Sequence, residues 1–429
     1  MSIQLLNDSE ALSRASRDRS LLTNSRMACQ RACPKRHQFR YELGLVPDQP
    51  PSEAAWIGTL FHLACNLDEM GRPDQEIADV VRAKARDAYD AETVLRLWLA
   101  HRWRWQDHEL DVVATEKAFR MPIRNPETNA MTFVFENGGK VDAVVRLEDG
   151  RLALLERKTI SDDLSPGSDY WLRVRLDQQI SLYVLAVREL GYDVTTILYD
   201  VVRRPGMRPG KVPLVDDDGV KIVCDAHGER VRTKDGKKWR ESASAADGYV
   251  LQTRPETPEE WGARLAEDIE SRIDFYFARV EVARTEDDLA DFREELWQQQ
   301  QQLRAAQLKG RWFRNTNACL VPFRCDYLNI CDLKLDVGLS ILEAGSAPRA
   351  LQVPPGYKLV DTVHPELADD DVALEAASLA DSAPRPATGA APDANLAQNS
   401  SAPASAMAGS QPLNGTPAFE GPPTDYAQL

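Results

Sequence analysis

Apolar residues along the chain follow two rhythms. Between 140 and 159 the runs are short and β-branched: "KVDAVVR" and "RLALLERKT" flank the turn residues "LEDG", which predicts an antiparallel hairpin. "TTILYDVVR" (195–203) predicts another strand. Residues 25–110 and "WLRVRLDQQISLYVLAVREL" (171–190) instead carry helical spacing, with Ser25 as a first N-cap and a break near Pro34. "TPEE" (257–260) reads as a capping box with Pro at the first helical position. Thr285 and Asp288 cap a later helix reaching the glutamines at 298–302, which predict a solvated face. Helices therefore flank a central sheet in an α/β chain. Residues 205–250, rich in Pro, Gly, Lys and Asp, predict an inserted hairpin or loop. From 364 to 429 the sequence turns to Ala, Pro, Ser, Asn and Gly, with too few large apolar groups to offset ordering entropy, and predicts a disordered tail.

Charge interrupts the hairpin where burial is expected. Glu156 and Lys158 lie two apart in "ALLERKT" and share a strand face. A three-residue loop, 148–150, would pair Leu147 with Arg151 and set Asp142 opposite Glu156, two carboxylates with Cβ atoms about 5 Å apart, a destabilising pair unless a cation lies between them. A two-residue Asp149-Gly150 turn would instead set Asp142 opposite Arg157 and leave ordinary ion pairs. The hairpin pattern allows both.

The 43% hydrophobic content of the 429 residues supports a sizeable core. No apolar run reaches membrane-spanning length and no basic-then-apolar leader opens the sequence, so a cytoplasmic protein without a membrane span is expected. The net charge of −15 argues against indiscriminate polyanion binding. Ten acidic residues and one Arg lie within 361–429, however, so the remainder carries only −6. A local basic groove and bound cations could still serve a nucleic acid.

Seven cysteines stand at 29, 33, 65, 224, 319, 325 and 331. In a chain without a secretion signal, disulfides are not the expected use. "NACLVPFRCDYLNICD" supplies three at spacings of six, one short of a four-thiolate site. Cys29 or Cys33 in "SRMACQRACPKRHQFRY" can supply the fourth. The spacing leaves an iron-sulfur cluster and structural zinc equally open.

Asp142 followed by Glu156-Arg157-Lys158 resembles the PD-(D/E)XK nuclease superfamily, and further motifs resemble its RecB-type branch, which includes CRISPR-adaptation exonucleases with an iron-sulfur cluster. "GTLFH" (58–62) is similar to the branch's Gly-x-x-x-His, "QISLY" (179–183) to its Gln-x-x-x-Tyr, and "CPKRHQFRY" from Cys33 to its N-terminal Cys-Pro entry. One departure is Pro322, standing where the branch often has a Cys-x-x-Cys member, which leaves Cys319 as the candidate. Alone, His62 reads as a hydrogen-bonded helix residue, and Gln179 with Tyr183 as an i,i+4 surface pair.

The resemblance implies a restriction-endonuclease-like core at 25–335 after an N-terminal lead, 1–24, and before a C-terminal extension, 336–363. It implies a metal-dependent deoxyribonuclease, of exonuclease type, in DNA recombination, repair or processing. Asp142, Glu156 and His62 would hold Mg²⁺ or Mn²⁺, Lys158 would position the attacking water, and Gln179 and Tyr183 would contact DNA or orient Lys158. Cys33, Cys319, Cys325 and Cys331 would hold a [4Fe-4S] cluster, with zinc as the alternative. Implied partners are single-stranded DNA or duplex ends and a helicase or recombination protein. The competing expectation is a non-catalytic DNA-binding scaffold on the same fold.

Overall fold

The Leu147–Arg151 closure decides the hairpin register, with Gly150 in the loop it spans. The Gly150 φ of +85° suits a residue without Cβ, and in this three-residue loop Gly150 N donates to Leu147 O at 2.9 Å and Leu147 N to Arg151 O at 2.8 Å. The ladder then runs Arg146↔Leu152 to Ala143↔Leu155. This is the register that carries Asp142 towards Glu156.

The computed structural model describes residues 20–108, 110–332, 353–360, 362–364 and 367. The expected tail, apart from 364 and 367, most of the N-terminal lead, and most of the extension lie outside the described residues. The central sheet comprises β1 (Leu21–Leu22), β3 (Asp111–Arg124), β4 (Met131–Arg146), β5 (Leu152–Ile160), β6 (Val194–Arg203) and β11 (Phe277–Ala283). β5 and β6 are parallel, whereas β3, β4 and β5 are successively antiparallel and β11 runs antiparallel to β6. The sheet is therefore mixed. A separate pair joins β2 (Leu45–Pro47) to β12 (Tyr357–Leu359), returning the chain after 353 to the N-terminal region.

Helices cover both faces. α1 (Asn24–Ala32) is followed by α2 (Glu53–Glu69), α3 (Asp74–Lys84) and α4 (Ala88–Trp105). α5 (Asp169–Arg175) and α6 (Gln178–Glu189) cross from β5 to β6, and α7 (Pro258–Ser271) and α8 (Glu286–Lys309) come later. One core joins Val144 and Leu154 of the sheet to Ile180, Leu182 and Val184 of α6 and Phe292 of α8. A second joins Phe61, Trp98 and Trp261 of α2, α4 and α7 to Val202 and Phe277. The insertion between β6 and α7 is built from short strands, with β7 (Lys211–Pro213) paired to β10 (Thr253–Pro255) and β8 (Val223–Cys224) to β9 (Val250–Leu251).

Both capping boxes form, Thr257 with Glu260 and Thr285 with Asp288. Three expectations need correction. The first helix is capped by Thr23, whose hydroxyl accepts from Arg26 N at 3.2 Å, so Ser25 sits inside the first turn. The 171–190 run divides at Leu176, because the Asp177 carboxylate caps a new helix by accepting from Gln179 N. The glutamine run is also not wholly solvated: Gln299 and Gln300 are buried, and Gln299 Nε2 donates to Met27 O at 2.8 Å and to Gln30 Oε1 at 2.9 Å. The Gln299 amide thus fastens α8 to α1.

Candidate active site

The β4–β5 ladder stops one step short of Asp142 and Glu156, and the reason is visible. Asp142 Oδ2 accepts from Arg157 N at 2.8 Å, so the carboxylate takes a strand N–H that a neighbouring backbone would otherwise use. Strand alternation sends the Arg157 side chain away from Glu156 and Lys158, to an ion pair with Glu69 at the end of α2.

The Gly-x-x-x-His spacing has a packing cause. A Cβ on Gly58 would lie 2.7 Å from Thr159 Oγ1, so any larger residue would force Thr159 or α2 to shift. One turn later, His62 Nδ1 lies 3.8 Å from Asp142 Oδ2. Gln179, placed in the first turn of α6 by the Asp177 cap, donates from Nε2 to Glu156 Oε1 at 3.1 Å and accepts from Lys158 Nζ at 3.1 Å. Lys158 Nζ also donates to Glu156 Oε1. Tyr183, one turn further, meets Phe119 edge-on with centroids 5.8 Å apart.

Three depressions reach this cluster. Asp142, Gln179 and Tyr183 line one of about 210 Å³ together with Thr23 and Asn24 of the N-terminal region. Lys158 lines another of about 560 Å³ with Arg31, Tyr170, Arg173 and Tyr199. His62 lines the third, about 900 Å³, with Trp56, Lys84 and Arg204. All six sequence-predicted residues of the reaction centre thus meet around one region.

Burial pushes the Glu156 carboxyl up to about 7; Lys158 opposes that rise and the Asp142 charge adds to it. Burial alone would lower the Lys158 ammonium, but the Glu156 charge outweighs it and holds the proton firmly. His62 is lowered by burial, against the pull of Asp142, which favours the neutral imidazole that a metal requires. Burial also raises the Tyr183 phenol, which stays neutral at physiological pH.

Two carboxylates and an imidazole suit Mg²⁺ or Mn²⁺ by donor chemistry. Among the described residues no three His, Cys, Asp or Glu side chains are already drawn around one metal-holding point.

Among the described residues, four of the cysteines gather elsewhere in the fold, without closing on a metal-holding point. Cys33 lies in the break between α1 and Pro34, and Cys319, Cys325 and Cys331 follow α8. All four line one small cavity of about 20 Å³ with Arg36, Arg314 and Tyr327. Asn315 N points at Cys33 Sγ, 3.4 Å away, Cys325 N donates to Cys319 O at 2.8 Å, and the Arg314 guanidinium donates to Cys331 O at 2.7 Å. Cys29 does not line that cavity. Burial pushes its thiol up to about 11.

Sequence reasoning missed a buried ionic group on the opposite face of the sheet. Asp200 is fully buried, with Oδ2 2.9 Å from His101 Nε2 and 2.8 Å from an Arg279 guanidinium nitrogen, and it pairs across the parallel ladder with Arg157. Burial would raise its carboxyl, but His101, Arg279 and Arg157 together hold it far below the usual range. The available signal was a lone acid inside "TTILYDVVR", the same kind of interruption that marks Glu156.

A profile of the PD-(D/E)XK nuclease superfamily matches residues 22–332. No curated protein gives a significant match. Among solved structures, a candidate exonuclease from Eubacterium rectale aligns at 10% identity over 63% of this chain and 86% of its own, with a TM-score of 0.30. The structure of SSO0001 aligns at 12% identity over 46% of this chain and 71% of its own, with a TM-score of 0.21.

Proposed function

We propose, from the premise that the chain belongs to the PD-(D/E)XK nuclease superfamily, that it is a metal-dependent deoxyribonuclease acting as an exonuclease on DNA ends. The observation that carries this reading is the meeting of Asp142, Glu156, Lys158, His62 and Gln179, brought from two strands and two helices to one region.

Asp142, Glu156 and His62 would hold the divalent ion, which when bound neutralises charge on the phosphate and makes a nearby water easier to deprotonate. Lys158, fixed by Glu156 and by Gln179 Oε1, would turn a charged ammonium towards the attacking water and the phosphate oxygens. Gln179 orients both of its neighbours through one amide. Tyr183 lines the cavity beside Asp142 and would offer a neutral phenol to a strand entering it. End-labelled single-stranded and duplex DNA should be digested with Mn²⁺ and left intact in EDTA. Binding of DNA without any cleavage at saturating Mn²⁺ would replace this reading with the non-catalytic scaffold.

The finer assignment is to the RecB-type branch, with a nuclease domain at 25–335 interrupted by an insertion near 205–250. The four thiols lining one cavity are the basis for a [4Fe-4S] cluster on Cys33, Cys319, Cys325 and Cys331, with Cys29, whose thiol feels Cys33 and Cys325, as the competing fourth ligand. A cluster there would join the two ends of the domain across a loop of nearly 300 residues. Anaerobically purified protein should be brown and absorb near 400 nm, whereas structural zinc would leave it colourless with about one zinc per chain. Cys33→Ser should lose the metal and Cys29→Ser should keep it; the reverse order would exclude the assigned ligand set. No helix among the described residues is long and apolar enough to cross a membrane. The proposal extends to a cytoplasmic role in DNA recombination, repair or processing, beside a helicase or recombination protein.

A further inference from the structure

The insertion after β6 contains a segment opposite in sign to the rest of the chain. "RVRTKDGKKWR" (230–240) holds six basic residues and one acidic in a protein of net charge −15. It folds as a hairpin: Arg232 bridges Trp239, Thr233 N donates to Lys238 O at 2.9 Å, and Gly236, at φ +70°, donates to Thr233 O at 2.8 Å. The single acid is consumed inside the turn, where Asp235 Oδ1 accepts from Thr233 Oγ1 at 2.5 Å and from Lys237 N at 3.2 Å. Lys234, Lys237 and Lys238 are exposed, and among the described residues none has an acidic partner. Behind them, Arg232 and Arg230 place guanidinium carbons 4.0 and 4.4 Å from the centre of the Trp239 ring. The tip is thus a braced hairpin presenting three uncompensated ammonium groups.

Its root adjoins the candidate active site. β6 ends at Arg203 beside Ile160, two residues beyond Lys158, and Arg204 N donates to Ile160 O at 2.7 Å. Arg204 itself lines the depression that contains His62.

We propose that the Lys234–Lys238 hairpin binds the phosphate backbone of double-stranded DNA whose end is held at the active site; the nature of the polymer rests on the nuclease reading. Three cations on a two-stranded ribbon match the charge of the DNA backbone and the width of the major groove. Single-strand binders instead combine charge with open aromatic platforms for bases. Here the one ring, Trp239, is partly buried and already occupied by two guanidiniums.

The test uses the full-length Lys234→Gln/Lys237→Gln/Lys238→Gln variant, with binding of labelled blunt duplex and of single strand followed by anisotropy in EDTA over a range of salt. The dissociation constant for duplex should rise about tenfold or more at low salt, and the slope of log affinity against log salt should shrink by roughly 2 to 3, close to 0.9 for each phosphate no longer neutralised. The matching triple Lys→Arg variant should retain the parental slope. With Mn²⁺ present, KM for duplex should rise while kcat stays unchanged. A parental protein that cleaves DNA, paired with a Gln variant whose duplex affinity and slope are unaltered or whose loss is confined to single strand, would overturn the hairpin assignment alone. A parental protein that neither binds nor cleaves DNA would overturn the nuclease reading with it.

Discussion

Lys158→Ala is expected to lower DNA cleavage by about 10³-fold, the range that a positioned proton-transfer or charge-stabilising group contributes, while the folded protein survives. Lys158 is partly exposed to a depression and joins no apolar cluster, so its removal leaves no core cavity. Gln179 Nε2 would still donate to Glu156 at 3.1 Å, which keeps the acid oriented. Metal affinity should therefore fall less for Lys158→Ala than for Asp142→Asn or Glu156→Gln, which remove proposed ligand oxygens. Calorimetric titration with Mn²⁺ separates the two roles. Equal losses of affinity in all three variants would contradict the division between ligands and water-positioning cation.

Asp142, Glu156 and Lys158 were legible because strand periodicity is local: a charge inside an apolar run declares its face without knowledge of the rest of the chain. The register was less so. Gly150 suits both a two-residue and a three-residue turn, and the choice is made by the Leu147–Arg151 pairing. His62 and Gln179 were readable only through family resemblance, since a helix residue finds its partner by how the helix docks. Gly58 against Thr159 sets that docking for His62, and the Asp177 cap sets it for Gln179.

Where sequence reading failed, the partners are distant. Gln299 is polar by composition, yet its bonds reach Met27 and Gln30, roughly 270 residues back, to meet polar groups that α1 buries. Asp200 meets His101 and Arg279, 99 and 79 residues away. Nothing in a local window around either residue encodes those partners.

Asp200→Asn should accordingly produce the largest loss of stability, about 3–5 kcal/mol, because breaking a buried ion network strands the charges that remain. Arg279 and Arg157 are both strongly buried, and neither can turn to water without disturbing β11 or β5. The effect should reach the active site as well. Arg157 bonds Glu69 with its side chain and Asp142 with its backbone N–H, so it connects the helix that carries His62 to the carboxylate His62 faces. The pH dependence has a defined sign: a carboxyl held below its unfolded value contributes stability that is fully present above the ordinary carboxylate range and is lost as pH falls through the lower folded value. The gap between parent and Asp200→Asn, measured from urea midpoints, should be widest near neutral pH and close progressively below about pH 4. Arg279→Met should cost less in the Asn background than in the parent. Strict additivity of the two changes, within about 0.5 kcal/mol, would show that Asp200 and Arg279 do not stabilise each other.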